Sequence, residues 1–219
     1  LSSGIGPCRY TQLLEQFGEP IAALAGLADM RRKDVRVASL KDAEAAIAKA
    51  AIAGADILLR GDNAYPFRLA ETARPPLALY TIGDQALLNR QMVGIVGARN
   101  ASAAAKRFIE ELAKDLSKAG IAVVSGLARG IDAAAHRGSL DGIPVGVVAG
   151  GIDIVYPPEN TDLQSAIATN GILVAESPIG AKPTDRHFPR RNRIVAGLAS
   201  GVVVIEAAER SGSLITARF

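Results

Sequence analysis

The strongest chemical signal in the sequence is a basic cluster towards its C-terminal end. Four arginines and a histidine lie within eight residues, from Arg186 to Arg193, and Phe188 and Pro189 interrupt the charges. An arginine guanidinium is planar and matches phosphate oxygens bidentately, so this pattern indicates phosphate binding. A solvated basic face is the alternative, but an apolar helical pattern follows, which favours a site held against a core.

An apolar run and a Ser/Gly-rich turn come next along the chain. Residues 202–205 read as a strand, Glu206 ends it, and residues 211–213 open a helical pattern. Ligands of α/β proteins bind at such turns because helix N-termini and free backbone N–H groups converge there. We therefore expect Ser211, Gly212 and Ser213 to form a phosphate cradle. Glu206 could alternatively be a catalytic carboxylate.

Two earlier turns repeat this arrangement. Arg99 lies in the turn at 97–100, after a predicted strand at 93–96. The second turn, at 125–132, follows a predicted strand at 122–125 and is rich in small residues typical of a backbone anion cradle. Its candidate ligand contacts are Ser125, Gly126 and Gly130.

Other chemistries have weaker support in the residue pattern. Asp132 and His136 are spaced for one helix face, which could serve a metal or acid–base work, but no third ligand lies nearby and a structural hydrogen bond is the alternative. The turn at 97–100 lacks the glycines of a dinucleotide fingerprint. We find no nucleophile–base pair and no metal-ligand set, so we expect no cofactor, no metal and no catalysis. Tyr156 could stack on a base or pack beneath its loop.

Composition sets broad limits on the protein. The net charge of the 219 residues is only +3, so nucleic-acid binding is indicated by the local cluster and not by the total. Cys8 is the single cysteine, which excludes an intrachain disulfide and favours the cytoplasm. No apolar run is long enough for a membrane span. The chain begins with Leu and stops soon after a helix begins, so we expect the natural protein to extend beyond both ends.

The hydrophobic period divides the chain into three parts. Residues 1–55 predict a small helical domain of SAM or helix-hairpin-helix type, in which Ser39 caps a helix that runs to Ala53 with Asp42 at its third position. Residues 56–90 predict a connector with short strands at 56–60 and 77–81. Residues 91–219 alternate strands and helices, which predicts a Rossmann-like, mostly parallel sheet. A helix at 192–198 is expected after the basic cluster.

Five segments in a fixed order resemble the DprA/Smf DNA-processing family. They are Ile95-Val-Gly-Ala-Arg99, Ser125-Gly-Leu-Ala-Arg-Gly-Ile-Asp-Ala-Ala-Ala-His136, Tyr156-Pro-Pro-Glu-Asn160, Phe188-Pro-Arg-Arg-Asn-Arg-Ile194, and Glu206-Ala207 with Ser211-Gly-Ser-Leu-Ile-Thr-Ala217. One such segment alone would be weak, whereas five in order are specific.

This resemblance implies an extended Rossmann fold that binds single-stranded DNA, acts as a homodimer and loads the RecA recombinase during natural transformation, without catalysis. The expected DNA contacts are Arg99, Ser125, Gly126, Arg129, Gly130, Lys182, Arg186, His187, Phe188, Arg190, Arg191, Asn192, Arg193, Ser211, Gly212 and Ser213. Asn192 and Arg193 could instead pin the loop to the sheet. We expect replacement of Arg191 or Arg193 to weaken binding to all DNA sequences alike.

Two rival functions remain open at this point. A Rossmann-like nucleotide enzyme of the phosphoribohydrolase type would use Glu206, although such enzymes carry a Pro-Gly-Gly-x-Gly-Thr-x-x-Glu loop that this sequence lacks. A protein scaffold would direct the basic cluster to an acidic partner surface.

Overall fold

The computed structural model describes residues 5–29, 37–207 and 212–217. Its helices are α1 (Pro7–Phe17), α2 (Pro20–Asp29), α3 (Leu40–Ile52), α4 (Phe67–Ala70), α5 (Ala103–Lys118), α6 (Ile131–Ser139), α7 (Thr161–Asn170), α8 (His187–Leu198) and α9 (Gly212–Thr216). Its strands are β1 (Asp56–Leu59), β2 (Ala78–Gly83), β3 (Met92–Gly97), β4 (Ala122–Ser125), β5 (Pro144–Gly151), β6 (Ile172–Ser177) and β7 (Gly201–Ile205).

Within the described residues, seven strands form one sheet in the order β1-β2-β6-β5-β4-β3-β7. Every pairing among β3 to β7 is parallel, whereas β1 and β2 join the β6 edge in antiparallel fashion. This confirms the predicted Rossmann-like, mostly parallel fold. The carboxyl ends of the five parallel strands lie along one edge of the sheet, and the turns that follow them converge there.

Alternating residues along the strands build a core on each face of the sheet. Val96 and Val124 point to the face covered by α8 and α4, where Ile194 and Leu198 pack. Ile95 and Val123 point to the opposite face, which α5 and α6 cover. Strands buried on both faces explain the nearly continuous apolar runs in the sequence.

The N-terminal helices pack on a small core of their own. Leu13, Ala23 and Leu27 are buried there beside partly buried Phe17. The predicted cap of α3 is confirmed: the Ser39 hydroxyl accepts a hydrogen bond from the Asp42 N–H at 3.1 Å, and the Asp42 carboxylate accepts one from the Ser39 N–H at 2.9 Å. Among the described residues, no helix combines the length and the apolar character that a membrane crossing requires.

Residues 56–90 belong to the main sheet, because they supply β1 and β2. The domain boundaries at residues 55 and 90 stay predictions.

One helix boundary was predicted wrongly. We expected a helix at 192–198 after an Arg-rich loop, but α8 already begins at His187 and contains most of the basic cluster. Pro189 lies inside this helix, although proline usually ends one. In the first turn of α8 it is tolerated, because the N–H groups there have no partner within the helix.

Two glycines with positive φ give a test of the turn after β4. Gly130 (φ +76°) and Gly180 (φ +79°) both favour glycine, but only a Cβ on Gly130 would collide with protein, at the carbonyl oxygen of Ala98. We expect Gly180→Ala to lower the free energy of unfolding by about 1 kcal/mol. Gly130→Ala should cost at least about twice as much, because strain and collision add. Urea unfolding measures both, and equal losses would contradict the close packing of this turn.

Candidate nucleic-acid interface

A pocket of about 270 Å³ lies at the carboxyl edge of the sheet, over the ends of β3, β4 and β5. The turns after these strands and the segment between β6 and α8 form its walls. Its lining includes Arg99, Asn100, Gly126, Ala128, Arg129, Gly150, Tyr156, Pro183, Phe188 and Arg191. The structure therefore brings together predicted site residues from three separate segments of the sequence.

An aromatic and cationic wall borders the pocket. The Arg99 guanidinium carbon lies 5.2 Å from the centroid of the Phe188 ring. The Phe188 and Tyr156 ring centroids are 5.7 Å apart, with the planes tilted by 49°. Tyr156 is 49 % exposed, so it is accessible for stacking and is not packed beneath its loop. Such a wall suits nucleobases, because every base offers a π face to aromatic and guanidinium groups.

Arg99 and two cations of the segment that leads to Phe188 have no internal counter-charge among the described residues. Arg99, Lys182 and Arg186 are exposed, and no carboxylate of the described residues lies within ion-pair distance of them. A cation without an internal partner keeps its full attraction for an external anion. These three are therefore the best-placed phosphate contacts among the predicted residues.

Arg191, by contrast, has its partners inside the protein. It is 6 % exposed, and its Nη1 donates to the carbonyl oxygen of Val147 at 3.1 Å. The same nitrogen lies 3.9 Å from the carboxylate of Asp132, which is also buried. Burial lowers the pKa of Arg191 and raises the pKa of Asp132, while the opposite charge of each partner counters these shifts. Arg191 thus forms the charged floor of the pocket.

Three further members of the cluster also contact the protein. Arg193 lies 2.5 Å from a carboxylate oxygen of Glu176, and Arg190 lies 3.5 Å from the same oxygen. The side chain of Asn192 donates to the carbonyl oxygen of Gly212 at 3.1 Å. The alternative role for Asn192 and Arg193, holding the cluster in place, agrees with these contacts. Replacing Arg191 or Arg193 would thus disturb the fold as well as any DNA contact.

The turn after β4 is organised around a carboxylate. The Ser125 hydroxyl donates to the carbonyl oxygen of Ile95 at 2.5 Å and is buried. The N–H of Ala128 donates to Asp132 at 3.4 Å, and the N–H groups of Gly97 and Gly126 stabilise the same carboxylate. Asp132 therefore occupies the cradle in which we expected a phosphate.

The remaining predicted contacts have mixed environments. Gly130 packs against Ala98, and Arg129 is exposed but forms an ion pair with Glu159. The Nδ1 of His187 accepts a hydrogen bond from the N–H of Thr184 at 3.3 Å, which is a local contact at the start of α8.

The predicted cradle before α9 is described only in part. The Ser213 hydroxyl donates to the carbonyl oxygen of Gly97 at 2.8 Å, and the Gly212 carbonyl accepts from Asn192. Ser211 lies outside the described residues. These contacts join α9 to the end of β3 and to the middle of α8.

Glu206 is engaged in holding α5. Its carboxylate accepts hydrogen bonds from the N–H of Ser102 at 2.8 Å and from the Ser102 hydroxyl at 2.6 Å. The Ser102 hydroxyl accepts in turn from the N–H of Ala105 and caps α5. These hydrogen bonds lower the pKa of Glu206, which keeps it ionised and unsuited to donate a proton. No group of three or more metal-ligating side chains occurs among the described residues.

Comparison with known proteins places the chain in a family. The model of the family described as DNA recombination-mediator protein A matches residues 56–219. The chain belongs to this family. The resemblance to DprA/Smf proteins seen in the sequence is thereby confirmed.

Several relatives share most of the matched region. The chain is 45 % identical to the DNA processing protein DprA of Bacillus subtilis over 156 residues, which is 70 % of this chain and 52 % of that protein. It is 41 % identical to DprA of Streptococcus pneumoniae over 157 residues, or 71 % of this chain and 55 % of that protein. The chain spans about half the length of these relatives.

Two solved structures have the same fold. The X-ray structure of DprA from Streptococcus pneumoniae has a TM-score of 0.72 at 38 % identity, with 75 % of this chain and 58 % of that chain covered. The DNA processing protein A of Helicobacter pylori, described for its unique single-stranded DNA binding mode, has a TM-score of 0.70 at 32 % identity, with 75 % and 74 % covered.

Sequence reasoning missed the carboxylates that partner the arginines. Glu159 and Glu176 were not singled out, and Asp132 was considered for metal binding, acid–base work or a structural hydrogen bond, without a partner arginine. A signal was present for both, because Glu176 directly follows the apolar run at 172–175 and Glu159 comes ten residues after the apolar run at 145–149. Turns after parallel strands lie at the edge of the sheet that holds the cluster. Which arginine each one meets depends on three-dimensional packing.

The buried histidine beneath this site makes stability depend on pH. Burial lowers the pKa of His136 from its ordinary value of 6.5 to about 3. The unfolded chain therefore binds a proton between these pH values and the folded chain does not, so stability is lost as the pH falls through this range. We expect His136→Gln to reduce the slope of the free energy of unfolding against pH by up to about 1.4 kcal/mol per pH unit.

Urea unfolding between pH 4 and pH 7 measures this difference. The raised pKa of Asp132 changes the free energy of unfolding with pH in the opposite direction. Asp132 is present in the wild type and in the variant, so its effect largely cancels in the difference between them. Parallel pH profiles for the wild type and the variant would show that His136 is not buried in its neutral form.

Proposed function

We propose that this chain binds single-stranded DNA without sequence preference at the carboxyl edge of its sheet. The strand phosphates lie on Arg99, Lys182 and Arg186, and bases stack on Phe188 and Tyr156. The observation that carries the proposal is the exposed Arg99 on a paired aromatic wall. Lys182 and Arg186, which are exposed and lie in the segment that leads to Phe188, add two cations without ion-pair partners among the described residues. Phosphate contacts give affinity to every sequence, and stacking tolerates every base.

The whole protein, in this proposal, protects incoming DNA in the cytoplasm and loads the RecA recombinase during natural transformation and recombination, as a homodimer. The family description, a DNA recombination-mediator protein, supports the recombination role. The single-stranded DNA binding described for the Helicobacter pylori relative supports the ligand. RecA loading and dimerisation follow from the family resemblance and are separate from the DNA-binding step.

Binding to a labelled poly-dT oligonucleotide and to a matched duplex, at several salt concentrations, tests the DNA-binding step. We expect preference for the single strand and a strong loss of affinity as salt rises. If about four phosphates are neutralised, the slope of log K against log salt is roughly −3, because each phosphate contributes about −0.7 on single strands. A slope near zero would remove the electrostatic model. RecA-filament formation on the bound strand then tests loading.

Replacing one unpaired cation should weaken binding to all sequences alike. Arg99→Ala removes both a phosphate contact and the cation on the Phe188 ring, so affinity should fall for poly-dT and for mixed sequences by the same factor. The salt slope should become shallower by about 0.7. Fluorescence anisotropy on both oligonucleotides measures these changes.

Two control variants remove exposed cations that do not line the pocket. Arg137→Ala changes an exposed arginine in the last turn of α6, and Lys114→Ala changes an exposed lysine of α5. Equal losses in the control variants would mean that net charge, and not the site, determines binding. A loss confined to one base sequence would contradict phosphate contact by Arg99.

A further inference from the structure

Of the two exposed arginines that line the pocket, Arg129 has an acidic partner and Arg99 has none among the described residues. Arg129 forms an ion pair with Glu159, and both side chains are substantially exposed, by 60 % and 48 %. Hydrogen bonding to Arg129 lowers the pKa of the Glu159 carboxyl, so it stays ionised at neutral pH. The pocket therefore contains a negative charge beside Arg129, which is one of the DNA contacts predicted from the sequence.

The fold holds Glu159 in this position. It lies in a single 3₁₀ turn, Pro158–Asn160, directly before α7. The next residue, Asn160, is buried and donates its side-chain N–H to the carbonyl oxygen of Leu127 at 2.8 Å. Leu127 belongs to the same turn as Arg129, so the Asn160 hydrogen bond ties together the two segments that carry the pair. The segments that carry Arg129 and Glu159 are thus held next to each other.

A phosphate and this carboxylate compete for the same groups. Both are oxyanions that an arginine binds through parallel N–H donors. A phosphate that approaches Arg129 must displace Glu159 or lie next to a like charge, and either event reduces the net gain in free energy. Exposed ion pairs are weak, so a strand that is already held by other cations can displace the carboxylate.

We propose that Glu159 is a built-in competitor of the DNA phosphate at Arg129, which limits affinity and promotes release of the strand. This inference rests on the proposed DNA-binding function and adds a residue that regulates it. When a phosphate leaves Arg129, the carboxylate of Glu159 takes its place, so the guanidinium is not left without a partner. Dissociation then proceeds through small steps, which keeps a tightly bound polyanion exchangeable.

The variant Glu159→Gln keeps the shape of the side chain and removes its charge. We expect it to bind labelled poly-dT more tightly than the wild type at low salt, by up to about fivefold, which is the upper limit that an exposed ion pair provides. Most of the gain should appear as slower dissociation, measured by stopped-flow competition with unlabelled poly-dT. The salt slope should also become steeper, by up to about 0.7. In the wild type the displaced Glu159 carboxylate takes up a cation from solution, which offsets part of the cation release from DNA, and the glutamine does not.

Two further variants make the result specific. Glu110→Gln removes the same type of charge from an exposed ion pair, Arg137–Glu110, that joins the middle of α5 to the last turn of α6. It should leave affinity close to that of the wild type. The double variant Arg129→Ala with Glu159→Gln should show no gain over Arg129→Ala alone, since the competitor then has no group to compete for.

The outcomes separate this inference from the function on which it rests. If the wild type binds poly-dT and Glu159→Gln has the same affinity and dissociation rate, the inference is overturned and the proposed function stays intact. An equal gain in Glu110→Gln would overturn it as well, because the effect would come from net charge. Absence of wild-type binding to poly-dT would overturn both. Thermal unfolding confirms that each variant is folded, and Glu159→Ala should reproduce the sign of the change.

Discussion

The buried ion pair between Arg191 and Asp132 joins the two faces of the sheet beneath the pocket. Arg191 comes from α8 on one face and Asp132 from α6 on the other, and both are almost completely buried. A buried charge is stable only where an opposite charge and hydrogen bonds replace its water. Loss of either partner would leave the other unpaired. The positions of the turns that carry Arg99 and Arg129 therefore depend on this pair.

Two glycines in the turn after β4 have no room for a side chain, and for Gly126 the reason is this ion pair. A Cβ on Gly126 would overlap the Arg191 guanidinium, and one on Gly130 would collide with Ala98. In the sequence, small residues after a strand indicate an anion cradle. Here the anion in the cradle is Asp132, a side chain of the protein itself. The same motif that binds a ligand phosphate in other folds can thus stabilise an internal carboxylate, and only the position of that carboxylate distinguishes the two cases.

The sheet and its order of strands and helices could be predicted from the sequence, because alternation of apolar runs and helical periods is a local property. The strand predicted at 122–125 matches β4, and the others differ by one or two residues at their ends. Which arginines of the cluster have a carboxylate partner inside the protein could not be predicted in the same way. Arg186, Arg190, Arg191 and Arg193 look alike in sequence, but the partners of the last three, Glu176 and Asp132, come from distant segments.

The helical period of α8 explains how adjacent arginines come to have different roles. Arg191 lies on the buried face with Ile194, Val195 and Leu198, whereas Arg190 points to the exposed side. A protein that concentrates cations for a polyanion must also stay folded without that ligand, although like charges repel each other. Internal carboxylates neutralise the arginines nearest the core, so repulsion there is small. The cations at the rim keep their charge for an external anion. The number of arginines in such a cluster therefore overestimates its phosphate contacts, and the carboxylates that share its space determine how many remain.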